Sequence, residues 1–150
     1  MDDVDHLILR LLARHGRMTW AELAQRIGLS APAAAERVKR LEERGVIRGF
    51  AALLDRDALG AGLTAFIGVD LRDTSQRAAF LEAVAATPAI LECHHVTGDH
   101  DYLLKVACRD PRELDGLIND VLKRGPAVAR TRTVVVLASP KEALFTPPDA

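Results

Sequence analysis

The chain has 150 residues, 49% hydrophobic and 27% charged, enough for one ordinary domain or two small ones. Twenty Lys and Arg against 21 Asp and Glu leave a net charge of −1, which excludes a highly basic chromatin-type protein and a disordered polyelectrolyte. Its apolar runs are too short to span a bilayer, the opening Met1-Asp2-Asp3-Val4-Asp5 is acidic where a secretory signal is basic, and Cys93 and Cys108 cannot build a disulfide framework, so a soluble cytoplasmic protein is expected. The charge is uneven: residues 1–50 carry nine Lys and Arg against seven acids, and residues 51–150 carry 11 against 14.

Val4, Leu7, Ile8, Leu11 and Leu12 follow helical spacing and predict a first amphipathic helix, with Asp2, Asp3 and Asp5 at its positive end and Gly16 as its stop. Thr19 and Glu22 read as a capping box that starts a second helix, which turns Leu23, Ala24 and Ile27 inward and ends at Gly28. Ser30 caps a third helix, Pro32 lies in its first turn and Gly45 ends it. Its inward stripe is Ala31, Ala34, Ala35, Val38 and Leu41. A short helix, a tight glycine turn and a longer basic helix form a helix-turn-helix pattern; a three-helix packing unit without a DNA role is the bland alternative.

Unrolled from Val38 at about 100° per residue, the third helix turns Pro32, Ala33, Glu36, Arg40 and Glu43 outward, with Arg37, Lys39 and Arg44 on the flanks. In a recognition helix, Pro32 and Ala33 would allow close approach and offer only apolar contact, for instance to thymine methyls. Arg37 and Arg40 are the expected DNA contacts. Glu36 could accept from a cytosine amino group or simply pair with Arg40 one turn on. Ser30 could meet a phosphate or only cap the helix. A face so poor in hydrogen-bonding base readers predicts modest sequence specificity per half-site, with much of it coming from DNA shape and dimer spacing.

After Gly45 the segment to Leu54 reads as a strand, and residues 55–62 as a linker with two glycines. The domains are then 1–54 and 63–150. Residues 63–71 alternate as a half-buried strand, and 75–87 predict a helix with Phe80, Leu81 and Val84 inward, ended before Pro88. Strands over 90–96 and 102–108 make a hairpin around Gly98-Asp99-His100-Asp101. Asp110, Pro111 and Glu113 open another helix, Gly125-Pro126 breaks it, and 128–137 is a last strand; a short strand near 141–145 can follow. The order β-α-β-β-α-β is the ferredoxin-like split βαβ arrangement, so the class is α+β. Helices cover one face of such a sheet, while apolar residues occur on both sides of the strands. This predicts association through the sheet, most simply a homodimer.

Cys93, His94, His95, Asp99, His100 and Asp101 lie close in sequence, but neighbouring strand residues point apart, so His94 and His95 cannot share an ion, and no metal site or cofactor is expected. The two cysteines, which could lie near each other across the hairpin, read as free buried thiols. The loop Gly98-Asp99-His100-Asp101-Tyr102 could hold the charged groups of a small zwitterion, or be an ordinary turn.

The ordered combination of Gly28-Leu29-Ser30, Glu36-Arg37-Val38-Lys39-Arg40-Leu41-Glu42, Gly45-Val46-Ile47, Leu54-Asp55, Glu92-Cys93-His94, Val96-Thr97-Gly98-Asp99, Asp101-Tyr102-Leu103-Leu104-Lys105 and Thr131-Arg132-Thr133 resembles the leucine-responsive/asparagine-responsive (Lrp/AsnC, feast/famine) transcription regulators, from about Val4 to about Thr146. The resemblance implies an N-terminal winged helix-turn-helix domain on double-stranded DNA, and a C-terminal effector domain that forms dimers and often octamers. It implies a small effector, commonly an amino acid, at the loop matching Gly98, Asp99, His100, Asp101 and Tyr102 and beside Thr131 and Thr133. Two departures stand out. Ala33-Ala34-Ala35 replaces more polar or bulkier residues, and His100 stands where relatives often carry an aromatic. His100 is therefore expected to contact or gate the effector and to make binding pH-sensitive, since histidine titrates near about pH 6.5. Siroheme decarboxylases share the two-domain layout and are the enzyme alternative, but the hairpin here carries the regulator pattern.

Overall fold

The computed structural model describes residues 1–125 and 127–147, which divide into two compact units. One unit takes residues 1–53 with the tail from Lys141; the other takes residues 54–140.

The first unit is three helices, α1 (Asp3–Arg14), α2 (Trp20–Ile27) and α3 (Ala31–Glu43). Each has a side-chain cap, because the first turn of a helix leaves N–H groups without intrahelical acceptors. Asp2 and Asp5 form a reciprocal capping box at α1, and Thr19 and Glu22 form one at α2. Ser30 Oγ accepts from the Ala33 N–H at α3. Ile8, Leu12, Leu23, Ala24, Ala34, Val38 and Leu41 make the core, while Ala31 and Ala35 are only half-buried. Gly28 bends the α2–α3 turn at φ +69°, a backbone that disfavours any residue with a Cβ.

The strand predicted over residues 46–54 is not formed. The N–H groups of Val46 and Ile47 instead return to the Leu41 carbonyl, and Ile47 packs on the core. Beyond Ile47 no neighbouring strand is present among the described residues to take up the backbone groups, and Phe50, Leu53 and Leu54 stay exposed. Residues 141–147 likewise form no strand.

The second unit is a four-stranded antiparallel sheet built from β1 (Leu63–Leu71), β2 (Ile90–His95), β3 (Tyr102–Cys108) and β4 (Val128–Val135), in the order β2-β3-β1-β4. Since β1 and β2 are each antiparallel to β3, they run parallel with β3 between them, and β1 likewise splits β3 from β4. That is the split βαβ topology of the ferredoxin-like fold. The connecting helices are α4 (Arg77–Ala85), entered through a short tight turn at Thr74–Gln76, and α5 (Pro111–Gly116), which loosens into a wider helical turn over Leu117–Leu122. Ala65, Ile67 and Val69 on β1 and Leu104 and Val106 on β3 turn to the helix side and pack with Phe80, Val84, Leu114, Leu117 and Leu122.

Strand alternation puts Phe66, Gly68 and Asp70 on the opposite face, beside their register partners Leu103 and Lys105 on β3 and Arg132 and Val134 on β4. No helix covers this face among the described residues of the unit, and Phe66 and Val134 are exposed there. Cys93 pairs with Leu104, four residues from Cys108, or roughly 13 Å along the strand. The two thiols are free and do not meet across the hairpin; Cys108 is buried and Cys93 half-buried.

Candidate functional site

The first candidate surface is the exposed side of α3. Pro32, Glu36 and Arg40 are exposed and Ala33 is half-buried. Ser30 is exposed and its Oγ lies 3.4 Å from the Ala33 nitrogen, so it caps the helix and still faces solvent. Arg40 Nε approaches Glu36 Oε1 at 3.7 Å, and Lys39 Nζ approaches Glu43 Oε1 at the same distance. Exposed pairs of this kind contribute only about 0.3–0.5 kcal/mol, so both cations can exchange the carboxylate for a phosphate.

Arg37 is placed differently. Its Nη1 donates to Asp2 Oδ2 at 2.7 Å and to Asp5 Oδ1 at 2.8 Å, both at the start of α1. Asp2, and then Asp5, raise the pKa of the guanidinium above its ordinary value. The Asp5 backbone N–H, and then Arg37, hold the Asp2 carboxyl below the usual carboxylate range. The acids at the α1 terminus therefore serve α3 as well as the α1 dipole, a role the sequence reading missed.

The second candidate surface is the β2–β3 hairpin end of the sheet. Its predicted residues divide between two faces. Tyr102 is buried on the helix side, its ring 4.9 Å from that of Phe80 and 5.1 Å from that of His95. The Arg77 guanidinium lies 5.9 Å from the centre of the same ring. Thr131 is the register partner of Val69, as Tyr102 is, and Thr133 pairs with Ile67, so all three belong to the helix side. His100 belongs to the other face. Its ring lies over Gly68, and its Nδ1–H donates to Asp70 Oδ1 at 2.9 Å. Arg130 Nε donates to Asp70 Oδ2 at 2.7 Å. Gly98 and Asp99 are exposed in the loop. Asp101 braces the hairpin: its carboxylate accepts from the Leu71 N–H at 2.7 Å, and its own N–H donates to the Val69 carbonyl at 3.1 Å. His94 and His95 point to opposite faces, as alternation requires; His94 bonds Glu92 at 2.9 Å.

Gly68, Asp70 and Arg130 did not emerge from the sequence. Asp70 lies 30 residues from His100 and 60 from Arg130, beyond any local rule. The one signal was Gly68 itself, a glycine inside an alternating strand, which marks close approach of another group.

His100, and then Arg130, hold the Asp70 carboxyl below its ordinary value. A carboxyl lowered on folding stabilises the native state above its unfolded pKa, about 3.9, and that contribution disappears as pH falls through the lowered value. The urea midpoint of Asp70→Asn should therefore fall below that of the wild type from pH 4.5 to 7, and the gap should close as the pH drops under about 3.9. A gap unchanged at pH 2.5 would contradict this reading.

Comparison with known proteins gives two family matches. Residues 1–48 match the winged helix-turn-helix DNA-binding model, and residues 64–144 match the Lrp/AsnC ligand binding domain. The chain is 40% identical over 146 residues to the leucine-responsive regulatory protein of Escherichia coli K12, covering 95% of this chain and 88% of that protein. It is 40% identical, also over 146 residues, to the proline dehydrogenase transcriptional activator of Rhizobium radiobacter, covering 94% of each. Among solved structures it resembles a transcriptional regulator from Neisseria meningitidis in complex with L-Met (TM-score 0.92, 33% identity, 99% of this chain and 96% of that one). It also resembles E. coli AsnC (TM-score 0.91, 26% identity, 98% and 99%).

Proposed function

Because the chain belongs to the Lrp/AsnC family of transcription regulators, we propose that it binds double-stranded DNA through α3 and changes its binding or assembly with a small effector, an amino acid. Residues 1–54 act as the DNA-binding unit, 55–62 as the connector and 63–150 as the effector and assembly unit, although the tail from Lys141 clusters with the compact unit of residues 1–53. Ser30, Pro32, Ala33, Glu36 and Arg40 form the DNA face, with Arg40 the principal phosphate contact. Gly98, Asp99, His100, Asp101, Tyr102, Thr131 and Thr133 serve the effector. The observation that carries this reading is the exposed face of α3, with small residues at its N-terminal turn and exchangeable cations beyond it.

Their division between two sheet faces suggests that the effector meets the hairpin loop at its rim, where Gly98 and Asp99 are exposed. Chains associate through the open sheet face into dimers and, from these, into octamers or similar assemblies. The protein works in the cytoplasm as a regulator and not as an enzyme; among the described residues, no helix is long and apolar enough to cross a membrane.

Selection of genomic DNA fragments on the purified protein, with and without pooled amino acids, tests this. Enrichment of short, degenerate half-sites at fixed spacing, altered by the amino acids, is the expected result. Failure to enrich any DNA would refute the reading, and a strict, information-rich motif would refute the weak base readout assigned to α3.

A further inference from the structure

Arg37 differs from the other cations of α3 in what it would have to give up to reach DNA. One nitrogen, Nη1, makes three contacts: Asp2 Oδ2 at 2.7 Å, Asp5 Oδ1 at 2.8 Å and Asp2 Oδ1 at 3.0 Å. Its side chain is 29% exposed, against 63% for Arg40 and 65% for Lys39. The acceptors are not mobile acids. Asp2 Oδ1 accepts the Asp5 N–H at 2.8 Å and Asp5 Oδ2 accepts the Asp2 N–H at 3.2 Å, so the carboxylates are already fixed by the capping box that starts α1.

Arg37 also sits on the flank of α3, about 100° from the buried Val38, the side on which α1 meets it. A phosphate drawn to this guanidinium would arrive beside two carboxylates, and like charge at that range opposes it. Arg40 meets no such obstacle, because its partner among the described residues, Glu36, is 3.7 Å away and exposed.

We propose that Arg37 is a positioning residue for DNA recognition: through Asp2 and Asp5 it fixes the orientation of α3 against α1, and it does not itself contact the DNA. The presented angle of Ser30, Pro32, Ala33 and Arg40 then depends on a three-residue latch that joins two helices at 32 and 35 residues' separation. This inference rests on the DNA-binding reading above.

Salt-dependent binding separates a positioning residue from a phosphate contact. Each phosphate contact contributes close to one counterion to the slope of log affinity against log salt, whereas a positioning residue contributes none. The full-length wild type, Arg37→Ala, Arg37→Lys, Arg40→Ala, Asp2→Asn/Asp5→Asn and the triple variant of the last with Arg37→Ala are titrated between 50 and 300 mM salt. The probes are a duplex of the DNA upstream of this protein's own coding sequence and a random-sequence duplex. Circular dichroism at the assay temperature restricts the comparison to folded variants, and Arg37→Lys and the Asp pair carry the test if Arg37→Ala unfolds.

The expected result is a shallower slope for Arg40→Ala, by about one per bound protomer. Arg37→Ala and the Asp pair should keep the wild-type slope, bind about tenfold more weakly at every salt concentration, and discriminate less between the duplexes. Arg37→Lys should recover part of the loss, and the triple variant should lose little beyond either parent, because all remove one latch. A slope that falls by about one in Arg37→Ala, with tighter binding by the Asp pair, would overturn the proposal and make Arg37 a phosphate contact held in check by its acids. A wild type that binds neither duplex would overturn the functional reading and this inference together.

Discussion

Phe66→Asp combined with Val134→Asp should leave the protein monomeric and, on the proposed assembly, lower DNA affinity by about a hundredfold or more. The two residues are neighbours across the β1–β4 pair on the face that no helix covers, and they are 37% and 58% exposed in the single chain. Paired aromatic and aliphatic side chains on an open sheet face are suited to a second apolar surface; carboxylates there would have to be taken out of water, and the cation opposite Phe66, Lys105, is already engaged by Glu92 at 3.5 Å. The consequence for DNA follows from the charge balance. A chain with net charge −1 and few base-reading groups on α3 is expected to bind weakly through one helix. Joining two such helices makes the second contact intramolecular, which raises affinity without any new contact. Sedimentation and DNA binding on the same samples check this. A doubly substituted protein that sediments as a monomer and still binds with wild-type affinity would refute the dependence of DNA binding on assembly. One that remains dimeric would refute this face as the interface.

What could be read from the residues was local. Thr19 with Glu22 is a short-range signal, and the structure closes that capping box as the spacing predicts. The alternation of residues 63–71 likewise survives as β1, with Ala65, Ile67 and Val69 in the core. The strand expected over 46–54 shows the limit: an apolar, extended-prone segment becomes a strand only if a neighbour accepts its hydrogen bonds, and sequence does not say whether one is there. The helix expected over 75–87 is shorter, because Asp73 caps a tight turn first and α4 ends at Ala85. The polar constellations were the least legible. Helical geometry places Arg37 on the flank of α3 as an expected DNA contact, and it lies on that flank, but nothing local shows that its acids lie at the start of another helix. Asp70, His100 and Arg130 come together only once β1, the hairpin loop and β4 are laid side by side.

Gly68→Ala should destabilise the protein by about 1–3 kcal/mol, as overpacking does, and the sign of its effect should depend on His100. A methyl group at Gly68 would overlap the His100 ring, with even Cγ only 2.7 Å away. Swinging the ring aside would break the 2.9 Å contact of its Nδ1 with Asp70, and its neighbour Asp101 is fixed to the backbone of β1. Alanine therefore forces either a displaced ring with a broken Asp70 contact or a shifted hairpin. Gly68 itself carries no backbone constraint: it is not among the glycines at positive φ, and it pairs regularly with Leu103 and Arg132. With the imidazole gone, the same substitution loses its clash and keeps the ordinary benefit of restricting the unfolded chain, about 0.4–1 kcal/mol. In the His100→Ala background, Gly68→Ala should thus be neutral or stabilising. The double-mutant cycle by urea unfolding measures this coupling directly. Equal destabilisation in both backgrounds would mean that Gly68 is required by something other than the His100 ring.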